Sequence, residues 1–352
     1  MRHFIWAATG IFLVLAVFSG CVDLGGEEAT AVPTDLLWEF NTSGFIISSP
    51  FAAIEGVYFG SGDKRLYAVS PASGDLKWSF DTGGPIYSSP LVEEGVVYFG
   101  SHDENLYALD SADGSEIWSV RAGGPIYATP AVEDGTVYFA STDNNLYALD
   151  RENGGVKWSF KTGALIVTSP LVVGDLVVIG SCDDNLYGVD RATGREVWRV
   201  ETGGAVVSSP VYSDGVIYVG SHDHFLYAIN AVSGEVLWKF ETGSYVQSSP
   251  VIAGDWVIFG SDDGVIYTVD KANGKIVWSY TADEMVFTTP LVHKGLVYFG
   301  SGNIAYGVTL SDGGLLWSYE LDDTIYSSPA VHGDKLFFAS YGRKLYAFKL
   351  ES

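Results

Sequence analysis

The sequence predicts an all-β fold: an eight-bladed β-propeller of four-stranded antiparallel blades, its ring closed by an amino-terminal strand in the last blade. Three observations carry this. Trp recurs at Trp38, Trp78, Trp118, Trp158, Trp198, Trp238, Trp278 and Trp317, a forty-residue step that shortens by one at the end. The Pro ending a Ser/Thr-Pro run and the Tyr of an LYALD-like run keep the same step, and a fixed period of this length marks a repeat architecture. No stretch after residue 21 shows helical periodicity.

The first residues stand outside the repeat. Arg2 precedes an apolar run from Phe4 to Phe18, followed by Ser19, Gly20 and Cys21. A positive start, an apolar segment and small residues before a Cys describe an export signal over residues 1–20 with a lipobox. Cleavage before Cys21 and lipidation of its thiol are therefore expected, with an uncleaved anchor as the alternative. Residues 21–35 read as an acidic, small-residue tether, and residues 36–350 as the propeller. Cys182 is the only other cysteine, so no internal disulfide is expected and stability has to come from packing. The formal charge of −24 and pI near 4.4 disfavour nucleic acid and anionic lipid heads as partners.

One copy, Pro85–Val120, shows the unit. IYSSPLV reads as a short first strand, VVYFGS and LYALD as the second and third, and EIWSV as the fourth, with turn residues at each junction. The middle strands are apolar on both faces, so each sheet is covered on both sides. Stacking such sheets around an axis achieves that. The chain begins with a lone fourth strand, LLWEF at Leu36–Phe40, and ends after a third strand, LYAFKL at Leu345–Leu350. Pairing these two completes the eighth blade. Each Trp is expected between blades, with its N–H on an acceptor. The Gly four residues before it, as at Gly74 and Gly114, fits a turn with positive φ.

At these residues the chain resembles the pyrroloquinoline-quinone-type repeat family. Its tryptophan-docking motif A-x-D-x-x-x-G-x-x-x-W is matched by Ala108, Asp110, Gly114 and Trp118, and by Ala148, Asp150, Gly154 and Trp158. Other copies depart from it, with Gly188 and Thr268 for Ala and with Ser70, Asn230 and Thr309 for Asp. The resemblance covers Leu36 to Leu350 and implies a propeller. It also implies one of two functions. Quinoprotein dehydrogenases hold the quinone over calcium and carry insertions, adjacent cysteines and a carboxylate base, none of which this sequence matches. BamB-like lipoproteins are non-catalytic scaffolds in outer-membrane protein assembly, which the length, the lipobox and the plain blades resemble.

The expectation is therefore a lipid-anchored, extracytoplasmic, monomeric ring that binds protein partners of the cell envelope, with no catalytic residue, metal or cofactor. A quinone-dependent oxidoreductase and a cell-surface ligand sensor are the alternatives. The Asp two residues after Ser in most loops (Asp63, Asp103, Asp143, Asp183, Asp223, Asp263) reads as a turn former rather than a cation ring. His102, Cys182, His222 and His224 share these loops, but their spacing fits no zinc motif. In a repeat ring, binding is sought where copies disagree. Three residues before each Pro stand Ile47, Tyr87, Tyr127, Val167, Val207, Gln247, Phe287 and Tyr326. Two connections also turn acidic, at Asp283-Glu284 and Asp322-Asp323, and the seventh unit loses a residue near Gly302. The candidate partner-binding residues are Tyr87, Tyr127, Tyr245, Asp283, Glu284, Phe287, Asp322, Asp323 and Tyr326.

Overall fold

The computed structural model describes residues 32–351, so the expected export signal and Cys21 lie outside the described residues. Every element among the described residues is a strand, and the strands form eight four-stranded antiparallel sheets. The second blade is typical. Leu91–Glu93, Val96–Gly100, Asn105–Asp110 and Glu116–Arg121 pair in chain order, from the innermost strand outward. The core lies between blades. Tyr58, Leu66 and Ala68 of the first blade pack with Val97, Phe99 and Leu109 of the second, all fully or almost fully buried.

The ring closes as the sequence predicts, with one change of boundary. The strand Val32–Asn41 pairs antiparallel with Lys344–Glu351, and Val32 opposes Glu351 while Phe40 opposes Leu345. Residues 32–35, expected in the tether, are therefore part of the propeller. Pro33 is tolerated because it stands near the start of an outermost strand, where a missing donor leaves the ladder intact.

The innermost strands are shorter than expected. IYSSP is not part of the ladder, and only Leu91–Glu93 pairs. Side chains supply the missing bonds. Ser88 Oγ accepts from Gly100 N at 3.1 Å and donates to Ala128 O of the next blade at 3.0 Å. The second Ser joins neighbouring blades through backbone donors: Ser49 N to Ser89 Oγ, Ser169 N to Ser209 Oγ and Ser209 N to Ser249 Oγ. Ser328 N donates to Ser49 Oγ at 2.8 Å across the closure. The recurrent Ser pair is thus an inner girdle that satisfies backbone groups that a strand would otherwise pair.

The Trp residues fasten the outer edge. Trp78 Nε1 donates to Ser111 O, in the turn of the following blade, at 3.1 Å, and its ring covers Gly114, which has φ +75°. Trp38 does the same across the closure, to Pro71 O and Gly74. The pattern continues through Trp118, Trp158, Trp198, Trp238 and Trp278. A β-bulge aims each ring: Ala108 opposes Trp118 but Leu109 opposes Glu116, so Ile117 is the extra residue and turns outward, 49% exposed. Trp317 departs from the set. The eighth blade takes its fourth strand from Val32–Asn41, so among the described residues no turn joins its third strand to its fourth. Trp317 packs edge-on against Phe348 instead, at 5.4 Å.

Candidate functional site

One mouth of the ring is built from three residues per blade. The residue after the loop Ser is tied by its backbone N–H to the carbonyl five residues before the Pro: His102 to Pro85, Cys182 to Leu165, Asp262 to Tyr245, Tyr341 to Thr324. The variable residue three before the Pro sits beside this pair. Where these positions are aromatic, the rings touch from blade to blade. Phe287 stacks on Tyr326 at 5.9 Å, and Tyr326 meets Tyr341 at 5.7 Å. Phe45 then stacks between Tyr341 at 4.5 Å and Tyr87 at 5.5 Å. His102 is gripped between Tyr87 at 4.2 Å and Tyr127 at 4.3 Å. The arc runs from the seventh blade through the eighth and first to the third.

Four of the expected aromatic residues, Tyr87, Tyr127, Phe287 and Tyr326, are brought together in this arc. Tyr245 stands apart, stacked on His222 at 4.6 Å and edge-on to His224. Phe45 and Tyr341 belong to the arc and were not anticipated. Their signal was present: Phe45 shares a column with Pro85, Leu165 and Thr324, and Tyr341 with Gly62, Cys182 and Asp262. Those columns are as variable as the one three residues before each Pro.

The four acidic residues divide into two kinds. In the first six blades the loop Asp has a fixed task. Asp103 Oδ1 accepts from Asn105 N at 3.0 Å, closing its own turn, while Oδ2 accepts from Gly83 N at 2.7 Å and Tyr107 Oη at 2.8 Å. Asp63, Asp143, Asp183, Asp223 and Asp263 repeat these bonds. A Gly fits closely here, since a Cβ at Gly83 would stand 3.1 Å from that of Asp103, although Ser43 makes the same bond in the first blade.

The seventh and eighth blades lack the loop Asp, and the Gly position that normally bonds it is itself acidic. Tyr306 Oη donates to Asp283 Oδ2 at 2.7 Å. Ser340 Oγ donates to Asp322 Oδ1 at 2.6 Å, and Asp322 fills the space a Cβ at Gly342 would need. Burial, and then its hydrogen bond to Asp322, raise the Tyr346 hydroxyl above its ordinary value. Asp283 and Asp322 thus each accept a hydrogen bond within the fold while remaining exposed.

Glu284 and Asp323 remain at the mouth. Glu284, Met285, Phe287, Gly302, Thr324 and Tyr326 line a depression of about 340 Å³ between the seventh and eighth blades. The Glu284 carboxyl lies over Gly302, where a Cβ would come within 2.9 Å of its Cδ. The one-residue deletion borders this hollow: the loop shrinks to Gly302-Asn303 between paired Ser301 and Ile304, and Gly302 takes φ +55°.

Across the mouth, the fifth and sixth blades are polar. Asp262 Oδ2 accepts from Gln247 Nε2, and burial pushes its carboxyl up to about 6. Burial lowers His222 and brings His102 down to about 4, so both rings are neutral at physiological pH. Burial, then Asp183 and Asp184, push the Cys182 thiol up to about 11, which makes it a poor nucleophile. Among the described residues, no three His, Cys, Asp or Glu side chains are grouped to hold a metal ion.

Among solved structures, the chain is similar to BamB from Moraxella catarrhalis, at a TM-score of 0.78 and 16% identity, covering 91% of this chain and all of that one. It is equally similar to the computationally designed Ika8 protein, at a TM-score of 0.79 and 15% identity, covering 92% of this chain and all of that one. At such identity these likenesses concern the fold. No curated protein sequence matches. The family described as "Beta-alanine-activating enzyme, beta-propeller" matches residues 28–301, well over half of the chain. With its repeats, its Trp docking and its closed ring, the protein belongs to that β-propeller family.

Proposed function

We propose that the protein is an exported, lipid-anchored, non-catalytic propeller that serves as a binding scaffold for a protein partner in the cell envelope. The observation that carries this is the hollow between the seventh and eighth blades. There the repeat abandons its consensus, yet Asp283 and Asp322 preserve the hydrogen bonds of the fold around it. Drift would not be expected to repair the framework while opening a hollow beside half-buried aromatic and exposed acidic groups. Interfaces rely on such aromatic anchors within a polar surround. The fold likeness to BamB supports the scaffold reading, and the lipobox at Cys21 supports the anchor.

The test is photo-crosslinking from position 285, whose Met is 49% exposed, in native membranes. One discrete crosslinked partner is expected, lost when Glu284→Gln, Phe287→Ala, Asp323→Asn and Tyr326→Ala are combined in a protein that still melts cooperatively. Unchanged crosslinking in that variant defeats the assignment of this face. Cys21→Ser should move the protein from the membrane to the soluble fraction. Dye reduction after reconstitution with quinone and calcium would defeat the non-catalytic reading, because a dehydrogenase needs base, metal and cofactor converging at one place.

A further inference from the structure

We infer that the hollow between the seventh and eighth blades seats a cationic side chain, arginine in preference to lysine, from an extended basic segment of the partner. This rests on the scaffold reading and narrows it to a partner chemistry. Three features of the hollow agree. Its lining is aromatic: Phe287 and Tyr326 both border it, half-buried, with their rings 28° from parallel and 5.9 Å apart. A ring face attracts a cation, and a planar guanidinium can also stack on it. Its wall is anionic, because Glu284 lies over Gly302, and Asp323, also exposed, directly precedes the lining residue Thr324. The Tyr326 hydroxyl is raised by burial first, but also by Tyr341, Asp323 and Glu284, so the field of both carboxylates reaches the ring. Its size is small. About 340 Å³ is near the lower end of the roughly 300–1,000 Å³ of small-molecule pockets, room for one long side chain.

The chain itself offers a comparison. A second depression, lined by Ser43, Asp63, Arg65 and Asp81, also has two carboxylates beside a loop. There the cation is the protein's own: Arg65 Nε donates to Asp81 Oδ1 at 2.6 Å. Likewise Arg121 holds Glu104, and Lys344 holds Glu39. Among the described residues, no ion pair involves Glu284 or Asp323. The hollow therefore offers negative charge and ring faces with no internal cation. The arc from Tyr326 through Tyr341 and Phe45 to Tyr87 continues from it, a path for the rest of an extended segment.

The probe is a fluorescein-labelled Gly/Ser nonapeptide carrying three arginines, titrated against the full-length protein in detergent and followed by anisotropy. Two companion peptides replace arginine by citrulline, which keeps the planar shape without the charge, or by lysine. Saturable binding of the arginine peptide is expected, weaker with lysine, weakened about tenfold or more with citrulline, and weakened by added salt. Glu284→Gln and Phe287→Ala should each weaken it by about tenfold, while Asp81→Asn in the other depression leaves it unchanged. Equal binding of the citrulline peptide overturns the inference. So does full affinity in Glu284→Gln, an exposed change that leaves folding intact, or binding of a neutral chito-oligosaccharide with none of the arginine peptide. If a partner crosslinks at position 285 yet the arginine peptide does not bind, the inference alone falls. If the peptide binds as described and no partner crosslinks, the inference stands and the scaffold reading falls.

Discussion

The Tyr306 hydroxyl, on the third strand of the seventh blade, donates across 2.7 Å to Asp283 in the connection that leads into that blade. In the sixth blade the equivalent Tyr267 donates to Asp263 of its own loop at 2.8 Å. The carboxylate has moved to the other side of the contact and the bond has been kept. A buried hydroxyl without an acceptor loses the full cost of its desolvation, so the acceptor is retained even where the loop is shortened.

Asp283→Ala should therefore destabilise the fold by about 1–3 kcal/mol, the range for stranding a buried polar group. Glu284→Gln, one residue on, should stay within about 0.5 kcal/mol. Denaturant midpoints measure both. If the Asp283→Ala loss is the same in a Tyr306→Phe background, the bond does not explain it.

Gly74→Ala tests the Trp docking at the closure. Its Cβ would fall 2.6 Å from Trp38 Cε3, at a residue with φ +75°. Overpacking alone costs about 1–3 kcal/mol, and the backbone penalty adds to it. Gly95→Ala shares the positive φ, at +80°, but its Cβ would meet nothing within 4 Å. It should cost clearly less, and equal melting temperatures for the two variants would contradict the docking account.

Closure depends on both edges of the ring. Deleting residues 32–41 removes the outer strand of the eighth blade and bares the edge of Lys344–Glu351, a template for aggregation. Concentration-dependent association is the expected result in light scattering. Ser49→Ala cuts only the inner link, where Ser328 N donates to Ser49 Oγ. It should lower stability by about 1–3 kcal/mol without causing association.

Two groups at the mouth give opposite pH dependence. His102 has a folded value near 4 against 6.5 ordinarily, so between those values the unfolded chain takes up the proton first. Its contribution is complete above about pH 6.5 and is lost as pH falls toward 4. Asp262 has a folded value near 6 against 3.8, so its contribution is complete below about pH 3.8 and is lost as pH rises through 6. His102→Phe should make the protein less sensitive to acid between those limits, and Asp262→Asn more sensitive. Urea midpoints at about pH 7 and about pH 5 distinguish the two, and slopes changing in the same direction would refute the assignment.

The fold was legible because its determinants repeat. The Trp spacing, the Gly four residues before every repeat Trp but Trp38, and the lone strand at the start each report a contact of the ring, and chemistry that recurs in register is visible without coordinates. The turn role of Asp103 and its counterparts was legible for the same reason. What the tertiary structure alone decided lies where an interaction passes between segments that sequence does not mark as neighbours. The first strand shrank because Ser88 and Ser89 bond across to adjacent blades, and strand propensity says nothing about side chains replacing a ladder. Trp317 lost its turn because the seam falls in the eighth blade, which matters only once the ring has closed. The bonds that Asp283 accepts from Tyr306 and Asp322 from Ser340 likewise join segments well apart in the chain. The aromatic arc joins Phe287, Tyr326, Tyr341, Phe45 and Tyr87 across the two ends of the chain, because closing the ring places the last blade against the first.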